Sequence, residues 1–234
     1  MKSKIKIILT CLFIVYVYNI FTTHLCKPVF DLSKILIKNN CIKHALFSPR
    51  DNIRQYIIEL IKNEQKEIKI AIYSFSDKYI MQELIKAKKR NVKIDIILDS
   101  SNLYDRPEKI FALYNNGINL SVFNTSALMK KKSKSKKSLL PLMHHKFIIF
   151  EKNINNKSIL LTGSFNLTYS ANVLNCENIV ILDDVLLLEL YNSEFNNIKK
   201  NSSPLENYKI CPKKKIKLFK QDMDKVRDFT ISKL

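Results

Sequence analysis

The chain alternates between short apolar runs and longer segments in which apolar residues recur every three or four positions. Runs of β-branched and aromatic residues are typical of buried strands, and the longer spacing is typical of amphipathic helices. The predicted strands are residues 44–48, 68–75, 92–98, 118–123, 147–150, 158–162 and 177–182. The predicted helices are residues 51–63, 77–90, 107–116 and 184–199, with a further helix start at 168–173. This alternation favours an α/β layer architecture with a largely parallel or mixed sheet.

The N-terminal segment has a different pattern. Three lysines within the first six residues precede the apolar stretch 7–21. A basic start before a short apolar run is typical of a secretory signal or an N-terminal membrane anchor. The run is short for a membrane span of about 20 residues, and residues 22–26 lack a small-x-small cleavage pattern. We therefore predict that residues 1–26 export the protein, as a secreted or periplasmic protein, or anchor it to the membrane; a buried core helix is the alternative.

The charge of the chain points to a polyanionic partner. The formal net charge is +19, which suits nucleic acid or an acidic membrane surface. Compositional drift towards lysine explains the total equally well, but it explains the clusters less well. Six lysines fall within residues 130–137, which we predict to be a solvated loop that attracts substrate. They are Lys130, Lys131, Lys132, Lys134, Lys136 and Lys137.

These patterns divide the chain into three parts: residues 1–26, a domain at 41–200, and a basic tail at 201–234. The five cysteines have irregular spacing, so no disulfide framework is legible. Cys41 and His44 have the spacing of half a zinc site, but no convincing second half follows. We expect no metal site.

The candidate chemistry lies between residues 142 and 178. His144 and Lys146 stand two positions apart at the head of a predicted strand, so their side chains leave the same face and His145 points away. The strand at 158–162 runs into the turn Gly163-Ser164-Phe165-Asn166, which holds one of the two glycines in the chain. These side chains can converge on one anion.

Glu177 and Asn178 open the next strand, and a carboxylate at that point can hold the distal nitrogen of a histidine. The order and spacing of His144-x-Lys146, Gly-Ser-x-Asn and Glu-Asn resemble the signature of the phospholipase D superfamily. The resemblance is strongest to small members with a single motif, namely the bacterial nuclease of that family and the Zucchini-type mitochondrial cardiolipin hydrolases. It extends more weakly over residues 47–195 and leaves out the lysine loop and the tail.

The resemblance implies a layered sandwich, in which a mixed sheet is flanked by helices on both faces, and a phosphodiesterase without metal or other cofactor. It implies that His144 attacks phosphorus and forms a phosphohistidine. Lys146 and Asn166 would hold the non-bridging oxygens with help from Ser164. Glu177 would orient His144.

Two further residues are predicted to support the site. Gly163 forms the turn, and Glu151 stands where the family motif has aspartate. The longer side chain keeps the charge but moves the carboxylate. We therefore assign Glu151 a supporting role.

The chemistry also predicts a partner. Displacement at phosphorus needs a nucleophile and an acid for the leaving oxygen, and this chain has one motif. A symmetric homodimer that shares one active site would supply His144 of a second copy as the acid. The substrate is predicted to be phospholipid because of the N-terminal segment, with an endonuclease on single- or double-stranded nucleic acid as the alternative. An inactive anion-binding module is a third interpretation.

Overall fold

The computed structural model describes residues 37–38, 41–123 and 142–208. The predictions for residues 1–26, for the lysine loop at 130–137 and for the tail beyond residue 208 lie outside these residues. None of the helices in the described ranges combines the length and apolar character that a membrane crossing needs.

Nine strands and six α-helices form the described part of the chain. The strands are β1 (Ile37–Lys38), β2 (Cys41–Ser48), β3 (Glu67–Ile72), β4 (Lys93–Leu98), β5 (Asn119–Phe123), β6 (Lys146–Phe150), β7 (Ile159–Gly163), β8 (Glu177–Leu182) and β9 (Ser202–Pro204). The helices are α1 (Ile53–Asn63), α2 (Lys78–Lys89), α3 (Asn102–Asp105), α4 (Pro107–Asn115), α5 (Tyr169–Val173) and α6 (Val185–Lys200).

All nine strands join one mixed sheet in the order β1-β2-β8-β7-β6-β3-β4-β5-β9. The neighbours β3, β4 and β5 are parallel, as expected for strands joined through helices. The remaining pairs are antiparallel. The predicted α/β class with a mixed sheet is confirmed.

The two faces of the sheet are covered by different helices. Helix α6 packs on one face, where Phe147, Leu160 and Phe195 belong to one buried cluster. Strand residues of opposite parity point to the other face, where α1 and α2 pack against each other. Each of these two helices buries one apolar stripe, as their amphipathic spacing predicts. Helices on both faces are therefore confirmed as well.

Several element boundaries differ from the sequence prediction. Strand β2 begins at Cys41 and β3 ends at Ile72, because the chain beyond Ile72 turns into the loops of the site. The short helix α3 and the strand β9 were not predicted, since four and three residues are too few to show periodicity. Strand β9 lies within the segment that we assigned to the tail and pairs with β5.

Turn and cap residues account for the helix ends. Asp77 caps α2 by accepting hydrogen bonds from the backbone nitrogens of Tyr79 and Ile80, and its other oxygen accepts from Arg54 Nε at 2.6 Å. Gly117 follows α4 with φ +77°, a left-handed conformation that favours glycine.

Gly163 at the end of β7 is required for a different reason. A Cβ atom at this position would lie 2.1 Å from the backbone oxygen of Asn178 and 2.8 Å from Cα of Ile179. Both obstacles are backbone atoms of β8, so no side-chain rotation relieves the clash. Only glycine allows β7 and β8 to approach this closely.

Gly163→Ala is expected to lower the free energy of unfolding by about 3 kcal/mol, because β7 and β8 must separate locally. The measurement is urea unfolding followed by circular dichroism. Gly117→Ala is the matched control, since its Cβ would have no neighbour closer than 3.6 Å; its left-handed backbone alone should cost about 1 kcal/mol. A Gly163→Ala protein as stable as the control would contradict the close approach.

Candidate functional site

The predicted site residues lie where five strands end at one edge of the sheet. Strand β6 begins at Lys146 and β8 begins at Glu177, while β7 ends at Gly163. Because the register pairs Phe147 with Thr162, Lys146 stands beside Gly163 in the next strand, about 5 Å away. Strands β2 and β3 end at the same edge through their antiparallel pairing with β8 and β6. The topology therefore brings His144, Lys146, Ser164, Asn166 and Glu177 to one edge.

His144 and Lys146 are in direct contact. The Nζ atom of Lys146 lies 3.1 Å from Nδ1 of His144 and donates to the backbone oxygen of His144 at 2.8 Å. The ring of Tyr73 lies against both groups, with its centroid 4.4 Å from that of His144 and 5.2 Å from Lys146 Nζ. These contacts restrict the movement of the imidazole and the ammonium group and hold the two together.

Burial of Lys146 changes its acid–base behaviour. Desolvation lowers the pKa of Lys146 below its ordinary value of 10.5, and the negative charge of Glu177 offsets part of that shift. Within the described residues no carboxylate forms an ion pair with Lys146. A half-buried ammonium group of this kind binds an anion more strongly than a solvated one does, because water screens it less.

The two polar residues of the turn are oriented by their own hydrogen bonds. Asn166 Oδ1 accepts from the backbone nitrogen of Ser74 at 3.2 Å, which turns its Nδ2 donor away from that loop. Ser164 Oγ accepts from the backbone nitrogen of Asn178 at 3.1 Å. Since the acceptor side of each group is occupied, the amide N–H of Asn166 and the O–H of Ser164 remain to donate to a ligand.

Glu177 is placed near the site without touching His144. Its Oε1 atom accepts from Asn175 Nδ2 at 3.2 Å, and its backbone nitrogen donates to Ser48 Oγ at 3.2 Å. No hydrogen bond joins Glu177 and His144, both of which are described residues. The hydrogen bond by which Glu177 would orient His144 stays a prediction. The interaction that the structure shows is electrostatic, between Glu177 and Lys146.

The neighbouring His145 lies on the opposite face of the sheet, as strand parity indicates. Its Nε2 atom lies 3.4 Å from Glu194 Oε1 on α6, and its ring packs edge-on against Phe147. This places His145 away from the side chains of His144 and Lys146.

Glu151 lies past the far end of β6, about 17 Å from Lys146 along the strand. Its carboxylate contacts Lys66 at 3.2 Å and Lys69 at 3.4 Å. Burial pushes the pKa of Glu151 upward, but the hydrogen bonds and charges of these two lysines outweigh it and hold the pKa below its ordinary value. Glu151 therefore stabilises the far ends of β3 and β6.

Sequence reasoning missed three residues that position the site. Asp99 is fully buried after β4, and its Oδ2 accepts from the backbone nitrogen of Met143, which fixes the chain just before His144. Asn102 Nδ2 donates to the backbone oxygen of Tyr73 at 2.7 Å, and its Oδ1 accepts from Phe75 N at 2.9 Å. Asp99 directly follows a predicted buried strand, and this position could have identified it as a site residue. Nothing local marked Tyr73 or Asn102.

The site consists of the imidazole of His144, the ammonium group of Lys146 and the oriented donors of Ser164 and Asn166. In the described ranges no three His, Cys, Asp or Glu side chains form a group that could hold a metal ion, and this includes the neighbourhood of Cys41 and His44. The imidazole of His144 can act as a nucleophile or a base. Lys146, Ser164 and Asn166 can donate to the oxygens of an anion.

Comparison with known proteins agrees with this arrangement. The family model described as cardiolipin synthase, phospholipase D-like domain, matches residues 57–199. A phospholipase D of Rickettsia prowazekii is 29% identical over 178 residues, which are 73% of this chain and 78% of that protein. A mitochondrial cardiolipin hydrolase of Xenopus tropicalis is 24% identical over 200 residues, or 82% of this chain and 86% of that protein.

A solved structure shares the fold. Nuc, a phospholipase D family member from Salmonella typhimurium, superposes with a TM-score of 0.56 and 26% sequence identity, covering 70% of this chain and 97% of Nuc. The family model spans more than half of the chain and includes every predicted site residue from His144 to Glu177. The resemblance read from the motifs is thereby confirmed, and the chain belongs to the phospholipase D family of phosphodiesterases.

Proposed function

We propose that the chain hydrolyses a phosphodiester through a covalent phosphohistidine at His144. The observation that carries this proposal is the convergence of His144 and Lys146 with the oriented donors of Ser164 and Asn166 at one sheet edge. Fixed donors around a phosphorus atom stabilise the charge that its oxygens carry in the transition state.

In the first step a ring nitrogen of neutral His144 attacks phosphorus. A P–N bond forms, the P–O bond to one alcohol breaks, and the leaving oxygen takes a proton from an acid. Water then attacks phosphorus and gives its proton to the same group, which now acts as a base. The P–N bond breaks, and the products are the alcohol and a phosphate monoester.

The acid is proposed to be His144 of a second copy. Each chain has one His-x-Lys motif, and His145 lies on the other face of the sheet with Glu194. His144 is exposed at the sheet edge, so two copies related by a two-fold axis can bring their imidazoles to one phosphorus atom. The resulting homodimer has a single shared active site.

Lys146, Ser164 and Asn166 supply a positive charge and two hydrogen-bond donors for the phosphoryl oxygens, which is the charge stabilisation that a metal cation gives in other enzymes. We therefore propose that the reaction needs no metal ion. Lys146 neutralises one phosphoryl charge, and the hydroxyl and amide donors share the remainder.

Two substrate classes fit this chemistry. The sequence favours phospholipid, and the names of the relatives from Rickettsia and Xenopus are lipid-directed. A nucleic acid strand is the second candidate, and a polar groove beside Asn166, lined by residues such as Ser74 and Arg106, favours it. A binding module without activity is the remaining alternative to an enzyme, although the site retains His144, Lys146 and both donors.

A mixed dimer tests the shared site. A dimer of one wild-type copy and one His144→Ala copy is expected to lose at least about 100-fold in rate. Its single remaining His144 can serve as the nucleophile or as the acid, and the other role stays unfilled. Differently tagged copies allow this dimer to be purified and assayed for diester hydrolysis. The control is a mixed dimer with Lys89→Ala, an exposed residue at the end of α2. Half of the wild-type rate would show that each copy has its own site.

A substrate panel tests the activity and the role of metal. Purified protein is incubated with phosphatidylcholine, cardiolipin or single-stranded DNA, each with and without EDTA, beside His144→Ala. We expect turnover of at least one substrate, unchanged by EDTA and absent in the variant. Turnover that EDTA abolishes would overturn the metal-free mechanism. A folded protein inactive on all three would favour the binding module.

The lowered pKa of Lys146 predicts an alkaline limit. Lys146 must be protonated to donate, so kcat/KM should fall as the pH rises through a pKa below the ordinary value of 10.5. In Lys146→Arg the guanidinium stays charged throughout this range. The variant should be slower, because its geometry differs, but the fall at the pKa of Lys146 should be missing from its profile. The same alkaline fall in Lys146→Arg would assign the titration to another group.

A further inference from the structure

A polar groove of about 600 Å³ adjoins the site. One wall is the loop of Ser74 and Ser76, which directly follows Tyr73, the residue whose ring lies against His144. Another wall is formed by Thr168 and Tyr169, two and three positions beyond Asn166. The hydrogen bond from Ser74 N to Asn166 Oδ1 joins these two walls, which places the groove directly beside Asn166 of the site.

The groove is lined almost entirely by hydrogen-bonding groups. The hydroxyls of Ser74 and Ser76 form no hydrogen bond with other residues in the described part of the chain, so both can bind a ligand. Asp105 offers an acceptor for sugar hydroxyls or base amino groups. The side chain of Phe75 is buried and leaves little apolar surface. Acyl chains would find few partners in such a groove, because they need apolar contacts.

One cationic side chain is among the groove residues. Arg106 lines the groove and is exposed, and no carboxylate in the described ranges forms an ion pair with it. The Nζ atom of Lys109 donates to the backbone oxygen of Ser76 and holds the loop of Ser74 and Ser76 in place. Burial lowers the pKa of Lys109, and the positive charge of Arg106 adds to that shift.

Tyr169 provides an aromatic surface at the rim. Its side chain is 60% exposed. The guanidinium of Arg54 lies 5.6 Å from the ring centroid and holds the ring from one side. The remaining ring surface can stack on a base, an interaction that every base offers.

We propose that this groove binds the nucleotide next to the scissile phosphate of a single-stranded nucleic acid, with Arg106 on the flanking phosphate and Tyr169 on the base. The proposal rests on the phosphodiesterase activity proposed above and names its substrate class. The volume suits a drug-sized ligand such as a nucleotide, whereas a choline or ethanolamine head group is much smaller.

Binding is measured in the full-length chain with His144→Ala, so that no substrate is consumed and the result does not depend on turnover. The probe is fluorescein-labelled oligothymidylate, followed by fluorescence anisotropy over a range of salt concentrations. Arg106→Ala should weaken binding about tenfold and reduce the slope of log K against log salt by about 0.7, because one phosphate contact is lost. Tyr169→Ala should also weaken binding about tenfold, with the slope unchanged.

Lys89→Ala is the matched control, since it removes an exposed cation on α2 outside the groove; it should change neither quantity. An Arg106→Ala protein with wild-type affinity and slope would overturn the proposal, as would an equal effect of Lys89→Ala. In the His144-containing protein, a greater loss of phosphatidylglycerol hydrolysis than of oligonucleotide cleavage in Arg106→Ala would assign the groove to a lipid head group. An inactive wild-type protein that still shows the binding differences would contradict the activity and not the groove.

Discussion

The close approach of Gly163 to the backbone of β8 is the constraint on which the site depends. Without a Cβ atom at Gly163, the end of β7 lies against Asn178, and Ser164 then exchanges two hydrogen bonds with that residue, one through its backbone nitrogen and one through its hydroxyl. This contact fixes where β7 stops and which way the following turn leaves the sheet. Ser164 and Asn166 are thereby placed beside the beginning of β6, where Lys146 lies.

A second set of contacts ties the loops of the edge to one another. Asn102 joins the loop after β3 to the loop after β4, Asp99 joins β4 to the chain before His144, and Asn166 joins the turn to Ser74. Each buried polar group in this set is satisfied by a backbone partner, which makes the arrangement specific and rigid. His144, Ser164 and Asn166 therefore lie on segments that hydrogen bonds tie to neighbouring loops.

Much of this arrangement could be predicted, and the missing part has a physical reason. Periodicity located seven of the strands and the longer helices, and strand parity separated His144 from His145, because both depend only on local spacing. Tyr73 and Asn102 could not be found in the same way. Their importance comes from contacts between loops that are 27 or more positions apart, such as those of Asn102 with Phe75 and Tyr73. The groove beside these residues also forms only where loops distant in sequence pack together, so local spacing does not reveal it.

Charge is distributed differently at the two ends of the strands in this chain, whose net charge is +19. At the far edge Lys66 and Lys69 are paired with Glu151. These partly buried pairs offset the charges at the far ends of the strands. At the site edge Lys146 has no carboxylate in ion-pair range among the described residues. Glu151 contacts its two lysine partners at the far ends of β3 and β6, so its carboxylate lies away from His144 and Lys146.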